Sequence, residues 1–522
     1  METKILSTSE YDIALAGEII ARGGLVAFPT ETVYGLGADA LNDEAVKSIY
    51  TAKGRPSDNP LIVHIAEKDD IKPLVKEVTP KAQALIDKFF PAPLTIILPK
   101  SEKVGDVVSG GLDTVAVRMP ENETARALIK AAGCPIAAPS ANTSGLPSPT
   151  KAKYVIDDMS GKIDAIIDGG DCAFGVESTV ITLATDTPTI LRPGAVTKEM
   201  LEAVIGEVDV AKAVLEGMQN DEVAASPGMK YKHYAPKAKI IIVNADKNGY
   251  EKFVNTKQDC FALCFEDDNV SIPKVTFGRE NDDLSQAKEL FDALRQLDEM
   301  GAKKVYARIP HTTGVGMAVY NRLIRAAAFS IIDLTKPFFI GLTGPSGAGK
   351  GYLCEYLTKL GFHIINSDEV VKNIYKNNLP LLRKLADIFG NDIIKDGTLD
   401  RKRLGEIVFN DNERLKLLNS IIHPEVIAKC EQLAKPLSVL DAPQLFEAKA
   451  QKKCNVIITV MADKELRAKR ITERDGISCE KAMERINAQL SEQYYIDHAD
   501  YVIYNNGEDI KTQIDNILEE IL

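Results

Sequence analysis

The stretch Phe338-Phe-Ile-Gly-Leu-Thr-Gly-Pro-Ser-Gly-Ala-Gly-Lys350 sets the architecture of the C-terminal part of this chain. Its apolar beginning predicts a buried strand, and the pattern from Tyr352 to Leu360 predicts a helix. A strand, a glycine loop and a helix in this order form a P-loop, where backbone N–H groups wrap phosphates and the lysine reaches the terminal ones. The stretch therefore predicts a nucleotide site on an α/β sheet.

Residues of this loop are the expected contacts of ATP: Gly344, Gly347, Ala348, Gly349, Lys350, Gly351 and Tyr352. Gly351 stands where a Ser or Thr usually supplies a hydroxyl to Mg²⁺. Because the loop amides and Lys350 remain, ATP binding is still expected. No residue is assigned as a certain metal ligand.

The rest of the chain divides into several parts, since its 522 residues are too many for one domain of about 100 to 200 residues. Short β-branched runs alternate with helical stretches through about Val210 and predict a mixed α/β domain. A polar segment, Ser226 to Pro236, precedes a compact αβ segment. The predicted domains are 1–212, an ordered linker 213–236, a small αβ domain 237–334 and the P-loop domain 337–522.

Composition excludes several classes of protein. The 63 Lys and Arg against 75 Asp and Glu give a net charge of −12, which argues against a basic nucleic-acid coat. The eight cysteines are scattered without a CxxC pair, as expected of reduced thiols. No apolar run approaches the ~18 residues of a membrane span, and no signal peptide is visible. We expect a cytoplasmic protein without a membrane partner or stable nucleic-acid binding.

Polar side chains in the N-terminal block follow predicted strand ends, where loops carry chemistry on a rigid scaffold. Lys53 and Arg55, two residues apart beside a glycine, can converge on a polyphosphate. Ser140 and Asn142 add neutral donors. Arg118, at a strand end, can hold a carboxylate. His64 lies between apolar neighbours, and its residue type alone fits a core histidine as well as a ligand.

Together these motifs resemble the YrdC-type domain of threonylcarbamoyl-AMP synthases, through Pro29-Thr-Glu-Thr-Val-Tyr-Gly-Leu36, Lys53-Gly-Arg-Pro56, Pro139-Ser-Ala-Asn142 and Ser178-Thr-Val180. The segment Ser226-Pro-Gly-Met-Lys-Tyr-Lys-His-Tyr-Ala-Pro236 with the small αβ domain resembles the long form of that family. The resemblance implies L-threonylcarbamoyl-AMP and pyrophosphate made from threonine, bicarbonate and ATP with Mg²⁺. It also implies handover of the product to proteins that modify tRNA beside the anticodon.

The same resemblance assigns roles to residues of this sequence. It places Thr32, His64, Arg118 and Ser178 at the threonine. It places Arg55, Asn59, Thr114, Ser140, Asn142, Ser148 and Arg192 at ATP, with the catalytic pair Lys53 and Arg55 beside the phosphates. Tyr231 of the linker is expected to close over the site.

The block from Phe338 to Leu522 resembles dephospho-CoA kinases, through Gly361 to Asp368, Ile422-His-Pro424, Leu440 to Glu447 and Arg485 to Gln489. The resemblance implies ATP-dependent phosphorylation of the 3′-hydroxyl of dephospho-CoA. Asp368 matches the catalytic base, Lys350 the phosphate-binding lysine and Arg474 an arginine of the helical lid. Asn366 and Gly351 depart from the family pattern.

The expected architecture is therefore α/β and multidomain: a YrdC-like twisted mixed α/β domain, a small Rossmann-like αβ domain, and a P-loop kinase domain with a parallel sheet and helical lid. Alternatives stay open. A concave, cation-lined N-terminal domain is compatible with double-stranded RNA binding. The departures at Gly351 and Asn366 are compatible with a nucleotide-binding pseudokinase. The acidic charge favours the enzyme in the first case, and retention of Lys350, Asp368 and Arg474 favours it in the second.

Overall fold

A computed structural model describes residues 2–57, 59–216, 234–395, 397–408 and 411–521. Tyr231 and most of the predicted linker lie outside these residues. The chain separates into two compact units, Met1–Ile331 and Ile332–Leu522. The finer domain boundaries inferred from the sequence stay predictions. Within the described ranges, no helix is long and apolar enough to cross a membrane.

The first unit contains a mixed sheet of eleven strands. Its strands are β1 Lys4–Leu6, β2 Val26–Phe28, β3 Gly35–Asp39, β4 Ile62–His64, β5 Leu94–Pro99, β6 Thr114–Arg118, β7 Ile136–Ala137, β8 Ala165–Ile167, β9 Thr179–Thr182, β10 Thr189–Arg192 and β11 Asp209–Val210. The order is β1-β8-β2-β3-β7-β4-β6-β5-β9-β10-β11. The accompanying helices are α1 Glu10–Ala21, α2 Asp43–Lys53, α3 Pro80–Phe89, α4 Asp106–Ser109, α5 Glu123–Ala132, α6 Ala152–Met159, α7 Lys198–Ile205, α8 Ala213–Glu216 and a 3₁₀ helix Lys68–Ile71.

Strand β5 lies inside this sheet, antiparallel to β6 and parallel to β9. Its run Leu-Thr-Ile-Ile-Leu is buried throughout, which explains why it is apolar on both faces. Alternate side chains of the sheet pack into different clusters: Val26 belongs to one core with Ile20, while Ala27 belongs to another with Val63. Both faces of the sheet are therefore covered, and functional groups must lie at strand ends.

The small αβ domain of the first unit has a second sheet of five strands in the order β14-β13-β15-β12-β16. These are β12 Lys239–Asn244, β13 Phe261–Cys264, β14 Lys274–Thr276, β15 Lys304–Arg308 and β16 Ile331–Asp333, with helices α9 Lys247–Val254, α10 Asp283–Glu299 and α11 Gly316–Ala326. The pairs β12/β15, β13/β15 and β13/β14 are parallel. Its core includes Val33 and Val176, which precede and follow strands of the first sheet. The two parts of this unit thus share apolar packing.

The second unit has a parallel sheet in the order β18-β21-β17-β22-β23. Its strands are β17 Phe338–Thr343, β18 His363–Asn366, β21 Leu437–Asp441, β22 Val456–Met461 and β23 Tyr501–Tyr504, and β19 Ile394–Lys395 pairs with β20 Thr398–Leu399. The helices are α12 Lys350–Lys359, α13 Ser367–Asn377, α14 Leu379–Phe389, α15 Arg401–Val408, α16 Asn412–Leu433, α17 Lys464–Asp475, α18 Cys479–Asn487, α19 Glu492–Asp497 and α20 Ile510–Ile521, with 3₁₀ helices Asn391–Ile393 and Ala450–Lys453.

Parallel strands bring their carboxyl ends to one edge of the sheet, where open α/β sheets bind ligands. Leu342 of β17 pairs with Asp441 of β21, and Asn366 of β18 pairs with the same Asp441. The P-loop follows β17, and Asp368 follows β18. This edge of the second unit therefore collects the phosphate loop and two carboxylates.

Candidate active sites

A cavity in the first unit lies among loops that follow the strands of the mixed sheet. Most of the predicted site residues line it: Arg55, His64, Arg118, Ser140, Asn142, Ser148 and Arg192. Five others lie outside its lining: Thr32, Lys53, Asn59, Thr114 and Ser178. Glu177 and Tyr234 line the cavity and were not among the predicted residues. The sequence motifs thus converge on one place in the fold.

Arg118 ends β6 and is almost fully buried. Its guanidinium donates to Oε1 of Glu31 at 2.7 Å and to Oγ1 of Thr32 at 3.0 Å. The second carboxylate oxygen of Glu31 and the Nε of Arg118 have no partner in the described part of the chain. Glu31 therefore holds Arg118 at the cavity wall, and Thr32 acts as a neighbour of that arginine.

His64 ends β4, and its ring lies edge-on to Phe28 with ring centroids 6.1 Å apart. Its Nδ1 lies 3.1 Å from the carbonyl oxygen of Ile62. Burial, reinforced by the charge of Arg118, lowers the pKa of His64 to about 3. The imidazole is neutral at physiological pH, so Arg118 is the cation at this end of the cavity.

Arg192 ends β10 and holds the turn that contains Ser178. Its Nε donates to the carbonyl oxygen of Ser178 at 3.0 Å, and a terminal nitrogen donates to the Ser178 hydroxyl at 3.1 Å. That hydroxyl also lies 2.8 Å from Oγ1 of Thr95 in β5. Burial lowers the pKa of Arg192 to about 10, which leaves it charged at neutral pH. Ser178 is thus fully engaged within the protein.

Lys53, at the end of α2, supports the loop that follows β7. Its buried ammonium donates to the backbone carbonyl of Ser140, and to that of Asn142 at 2.6 Å. Burial, with the nearby charge of Arg55, lowers its pKa well below the usual range. The Ser140 hydroxyl donates to Oδ1 of Asn142 at 2.5 Å. Lys53 therefore stabilises this loop through its backbone carbonyl groups, and Ser140 of the loop lines the cavity.

Arg55 reaches the cavity from the turn after α2. It donates to the carbonyl oxygen of Asn59 at 3.0 Å and lies over the Tyr50 ring at 5.3 Å from its centroid. The Asn59 side-chain amide is fully buried and has no partner in the described part of the chain. Thr114 begins β6 opposite Pro99, outside the cavity lining. Arg55 therefore lines the cavity, whereas Asn59 and Thr114 do not.

Glu177 and Tyr234 complete the cavity. Oε1 of Glu177 accepts a hydrogen bond from the Ser148 hydroxyl at 2.6 Å. Tyr234 stacks on Phe291 of the small domain with ring centroids 5.1 Å apart. Both residues stand beside motifs that the sequence singled out, Glu177 before Ser178 and Tyr234 three residues after Tyr231. The sequence does not show their contact partners, Ser148 for Glu177 and Phe291 for Tyr234, because these residues are distant along the chain.

In the second unit the P-loop is formed as its sequence predicts. Gly344, Gly347 and Gly349 have φ of 134°, 80° and 105°, values that disfavour any side chain. Lys350 donates to the carbonyl oxygen of Gly344 at 2.7 Å. Burial lowers the pKa of Lys350, and the nearby carboxylate of Asp441 opposes this effect. The loop is a preformed cradle for phosphates.

Arginines of α17 contact this loop. Arg467 is buried and donates to the carbonyl oxygen of Ser346 at 3.0 Å. Arg470 donates to the carbonyl oxygens of Gly347 at 3.3 Å and Ala348 at 3.4 Å. The predicted Arg474 instead pairs with Asp475 at 2.7 Å and is largely exposed. The structure brings Arg470 to the nucleotide loop and leaves Arg474 at the end of the helix.

A second cavity adjoins the P-loop edge. Asp368, His423 and Gln444 line it, and apolar side chains of α13 and α16 form another part of its wall. Behind Asp368, Oδ2 of Asp441 accepts from the Asn366 amide at 2.9 Å. Burial raises the pKa of Asp441, partly offset by Lys350. A carboxylate thus lines a pocket with a largely apolar wall beside the P-loop edge.

Family models match three parts of the chain. One described as Telomere recombination matches residues 18–194, and one described as Threonylcarbamoyl-AMP synthase, C-terminal domain matches residues 196–328. A model described as Dephospho-CoA kinase matches residues 338–511. These matches cover both cavities.

Individual relatives agree with these matches. A threonylcarbamoyl-AMP synthase of Pyrococcus abyssi is 46% identical over 334 residues, 62% of this chain and 96% of the relative. A dephospho-CoA kinase of Carboxydothermus hydrogenoformans is 39% identical over 191 residues, 35% of this chain and 93% of the relative. The crystal structure of P. abyssi Sua5 complexed with L-threonine matches at a TM-score of 0.60 and 45% identity, covering 63% of this chain and 99% of that one. The chain therefore belongs to two enzyme families joined in one polypeptide, the threonylcarbamoyl-AMP synthases through its first unit and the dephospho-CoA kinases through its second.

Proposed function

We propose that the first unit makes L-threonylcarbamoyl-AMP, pyrophosphate and water from threonine, bicarbonate and ATP, and that the second unit makes CoA and ADP from dephospho-CoA and ATP. Both families use ATP. The product of the first reaction is handed to proteins that modify tRNA. Neither the structure nor the comparisons favour the RNA-binding or pseudokinase alternatives.

The observation that carries the synthase assignment is the charge of its cavity. The guanidinium groups of Arg55, Arg118 and Arg192 line it, whereas His64 is neutral. They outnumber the one ionised carboxylate among the described lining residues, that of Glu177. Such a lining suits a nucleotide and a carboxylate together. Arg118 holds the threonine carboxylate, and Arg55 faces the phosphates. The carbamate of threonine then attacks the α-phosphorus while pyrophosphate leaves, so positioning and charge stabilisation supply the catalysis.

Pyrophosphate release tests this reaction. The full-length protein should release pyrophosphate from ATP only when threonine and bicarbonate are both present, and mass spectrometry should find the adenylate. Arg55→Ala should lose most of the rate. Asp387→Ala, an exposed position in the other unit, is the control. Equal pyrophosphate release without threonine would contradict the assignment.

In the kinase, Asp368 orients and deprotonates the 3′-hydroxyl of dephospho-CoA, as an aspartate does in other kinases. The P-loop amides and Lys350 hold the phosphates, and Arg470 fixes the loop from α17. The adjoining cavity accepts the remainder of the acceptor. Phosphoryl transfer needs few further groups, because the protein contributes mainly position and charge.

The residues present fit Mg²⁺, although Gly351 supplies no hydroxyl. Oδ1 of Asp441 is buried without a partner in the described part of the chain, and Asp368 lies near it. No group of three or more metal-binding side chains occurs within the described ranges. Mg²⁺ commonly uses one or two carboxylates with substrate phosphates and water. Asp441 and Asp368 would hold the ion, which would neutralise charge on the transferred phosphoryl group.

Asp368→Asn tests the kinase. This variant should lose CoA formation, and in the absence of Mg²⁺ it should keep its affinity for ATP, because Asp368 lies outside the P-loop. Asn373→Asp is the control: it also changes the charge of helix α13, but away from Asp368, and it should leave CoA formation intact. ATP binding by the wild-type protein without CoA formation at any Mg²⁺ concentration would make the second unit a pseudokinase.

A further inference from the structure

Arg322 of α11 is an arginine of the small αβ domain that is completely buried. Its Nε donates to Oε2 of Glu177 at 2.9 Å, and a terminal nitrogen donates to the Glu177 carbonyl oxygen at 3.2 Å. The other terminal nitrogen donates to the carbonyl oxygen of Pro193 at 2.7 Å and to Oδ1 of Asn321 at 3.1 Å. One side chain of the small domain thereby fixes two loops of the mixed sheet.

Glu177 carries this contact into the synthase cavity. Its other carboxylate oxygen accepts the hydrogen bond of the Ser148 hydroxyl, and both residues line the cavity. A chain of charge-assisted hydrogen bonds therefore runs from Arg322 through Glu177 to Ser148. Such bonds are short and directional, and they hold a side chain in one orientation.

The charge of Glu177 depends on this partner. Burial raises the pKa of Glu177, but Arg322 and Arg192 overcome this effect and hold it at about 2. The carboxylate is thus ionised at neutral pH. Without Arg322 a buried charge would lose its main partner, which is costly, and the Ser148 hydroxyl would lose its fixed acceptor.

A second arginine of the small domain acts on the neighbouring residue. Arg295 of α10 donates to the carbonyl oxygen of Pro147 at 2.6 Å and to Oδ2 of Asp158 at 2.9 Å. It also lies over the ring of Tyr154, 4.7 Å from its centroid. The backbone before Ser148 and the side chain of Ser148 are therefore held by two separate helices of the small domain.

We propose that Arg322 is a positioning residue of the synthase reaction, which acts through Glu177 to fix Ser148 and the wall of the cavity that receives ATP. The small αβ domain is then a structural part of the active site. This inference rests on the proposed synthase function.

Steady-state kinetics of the full-length protein test it. Arg322→Lys keeps the charge but loses the two-point contact, and Glu177→Gln keeps the shape but loses the charge. Each should raise the KM for ATP about tenfold, a loss of about 1.4 kcal/mol in binding free energy. The effect on kcat should be smaller. The double variant should be no worse than the worse single variant, because both changes break the same chain of contacts.

Arg308→Lys is the matched control. Arg308 is also buried in the small domain and is paired with Asp268 at 2.5 Å, but it does not line the cavity. Its change should leave the KM for ATP within about twofold, a difference of about 0.4 kcal/mol. CoA formation by the second unit reports the concentration of intact chains in every sample.

An unchanged KM in both Arg322→Lys and Glu177→Gln overturns the proposal. An equal loss in Arg308→Lys also overturns it, because a general weakening of the small domain would then explain the result. A wild-type protein that makes no threonylcarbamoyl-AMP contradicts the proposed function instead. If Arg322→Lys fails to fold, the near-isosteric Glu177→Gln decides the question alone.

Discussion

The ammonium group of Lys53 donates a hydrogen bond to the backbone carbonyl of Asn142 at 2.6 Å, across 89 residues of sequence. The lysine therefore acts on the loop that presents Ser140, while Arg55, two residues later, lines the cavity. The two cations of the motif therefore differ in role: Lys53 stabilises a loop, and Arg55 lines the cavity.

Lys53→Met should loosen the loop, because the carbonyl groups of Ser140 and Asn142 lose their donor, at about 1 to 3 kcal/mol for a buried group left unsatisfied. Hydrogen exchange of peptides covering 139–146 should rise, and adenylate formation should fall. Arg55→Met is the comparison: it should lower the rate without changing exchange in this loop. Unchanged loop protection in Lys53→Met would show that the lysine acts elsewhere.

Lowering the pH should decrease the free energy of unfolding of the first unit, because His64 is buried in its neutral form. Its folded pKa of about 3 lies below the ordinary value of 6.5, so its contribution to stability is complete above pH 6.5 and is lost as the pH falls toward 3. The slope approaches about 1.4 kcal/mol per pH unit. Pulsed hydrogen exchange in urea, read on peptides from β4 and β6, measures this loss in the full-length chain.

The variant His64→Gln should flatten that dependence. His311→Gln, at an exposed position of the same unit, should keep the wild-type slope. Parallel loss of stability in wild type and His64→Gln between about pH 7 and about pH 5 would mean that other groups titrate on unfolding.

Gly351 offers a gain-of-function test. A Cβ added there meets no atom within 4 Å, so Gly351→Ser should be accommodated and should supply the missing hydroxyl. We expect CoA formation to reach half its maximum at a lower Mg²⁺ concentration. Gly349→Ser is the contrast, since its Cβ would clash with the Asn505 amide, and its φ of 105° disfavours any side chain. It should disrupt nucleotide binding. No shift in the Mg²⁺ dependence of Gly351→Ser would indicate that the metal lies away from this position.

Arg470 and Arg474 should affect different kinetic constants. Arg470 donates to the P-loop and to the carbonyl oxygen of Asn505 at 3.1 Å, so Arg470→Lys should weaken ATP binding. Arg474 pairs with Asp475 at the exposed end of the helix and makes no hydrogen bond to the P-loop in the described part of the chain. Arg474→Lys should therefore lower kcat and spare ATP affinity. ATP titration beside steady-state kinetics distinguishes them; equal effects on affinity would contradict this assignment.

Local sequence patterns predicted the elements well. The strand predicted at the start of the P-loop stretch is β17 at Phe338–Thr343, and the helix predicted from Tyr352 to Leu360 is α12 at Lys350–Lys359. The comparisons confirm both family assignments and the α/β architecture. These successes share a cause: periodicity and glycine loops report on neighbours along the chain.

Contacts between distant segments could not be predicted in this way. Glu177 and Arg322 are separated by 145 residues, and no local period links them. Tyr234 stands in the same aromatic segment as the predicted Tyr231, which lies outside the described residues, and its packing on Phe291 is a contact that the sequence does not show. Lys53 and Arg474 carry the right charge, but their geometry depends on carbonyl and carboxylate partners that a motif does not specify. The assigned roles of the site residues stay predictions.

The buried pair of Glu177 and Arg322 also limits how this protein can be recombined with others. A chimera that takes the mixed-sheet domain from one synthase and the small domain from another must bring both members of the pair, or replace both together. A glutamate without its arginine would leave a dehydrated anion at the junction, and an arginine without its glutamate would leave a dehydrated cation. An exchange between synthases should therefore move the two domains together.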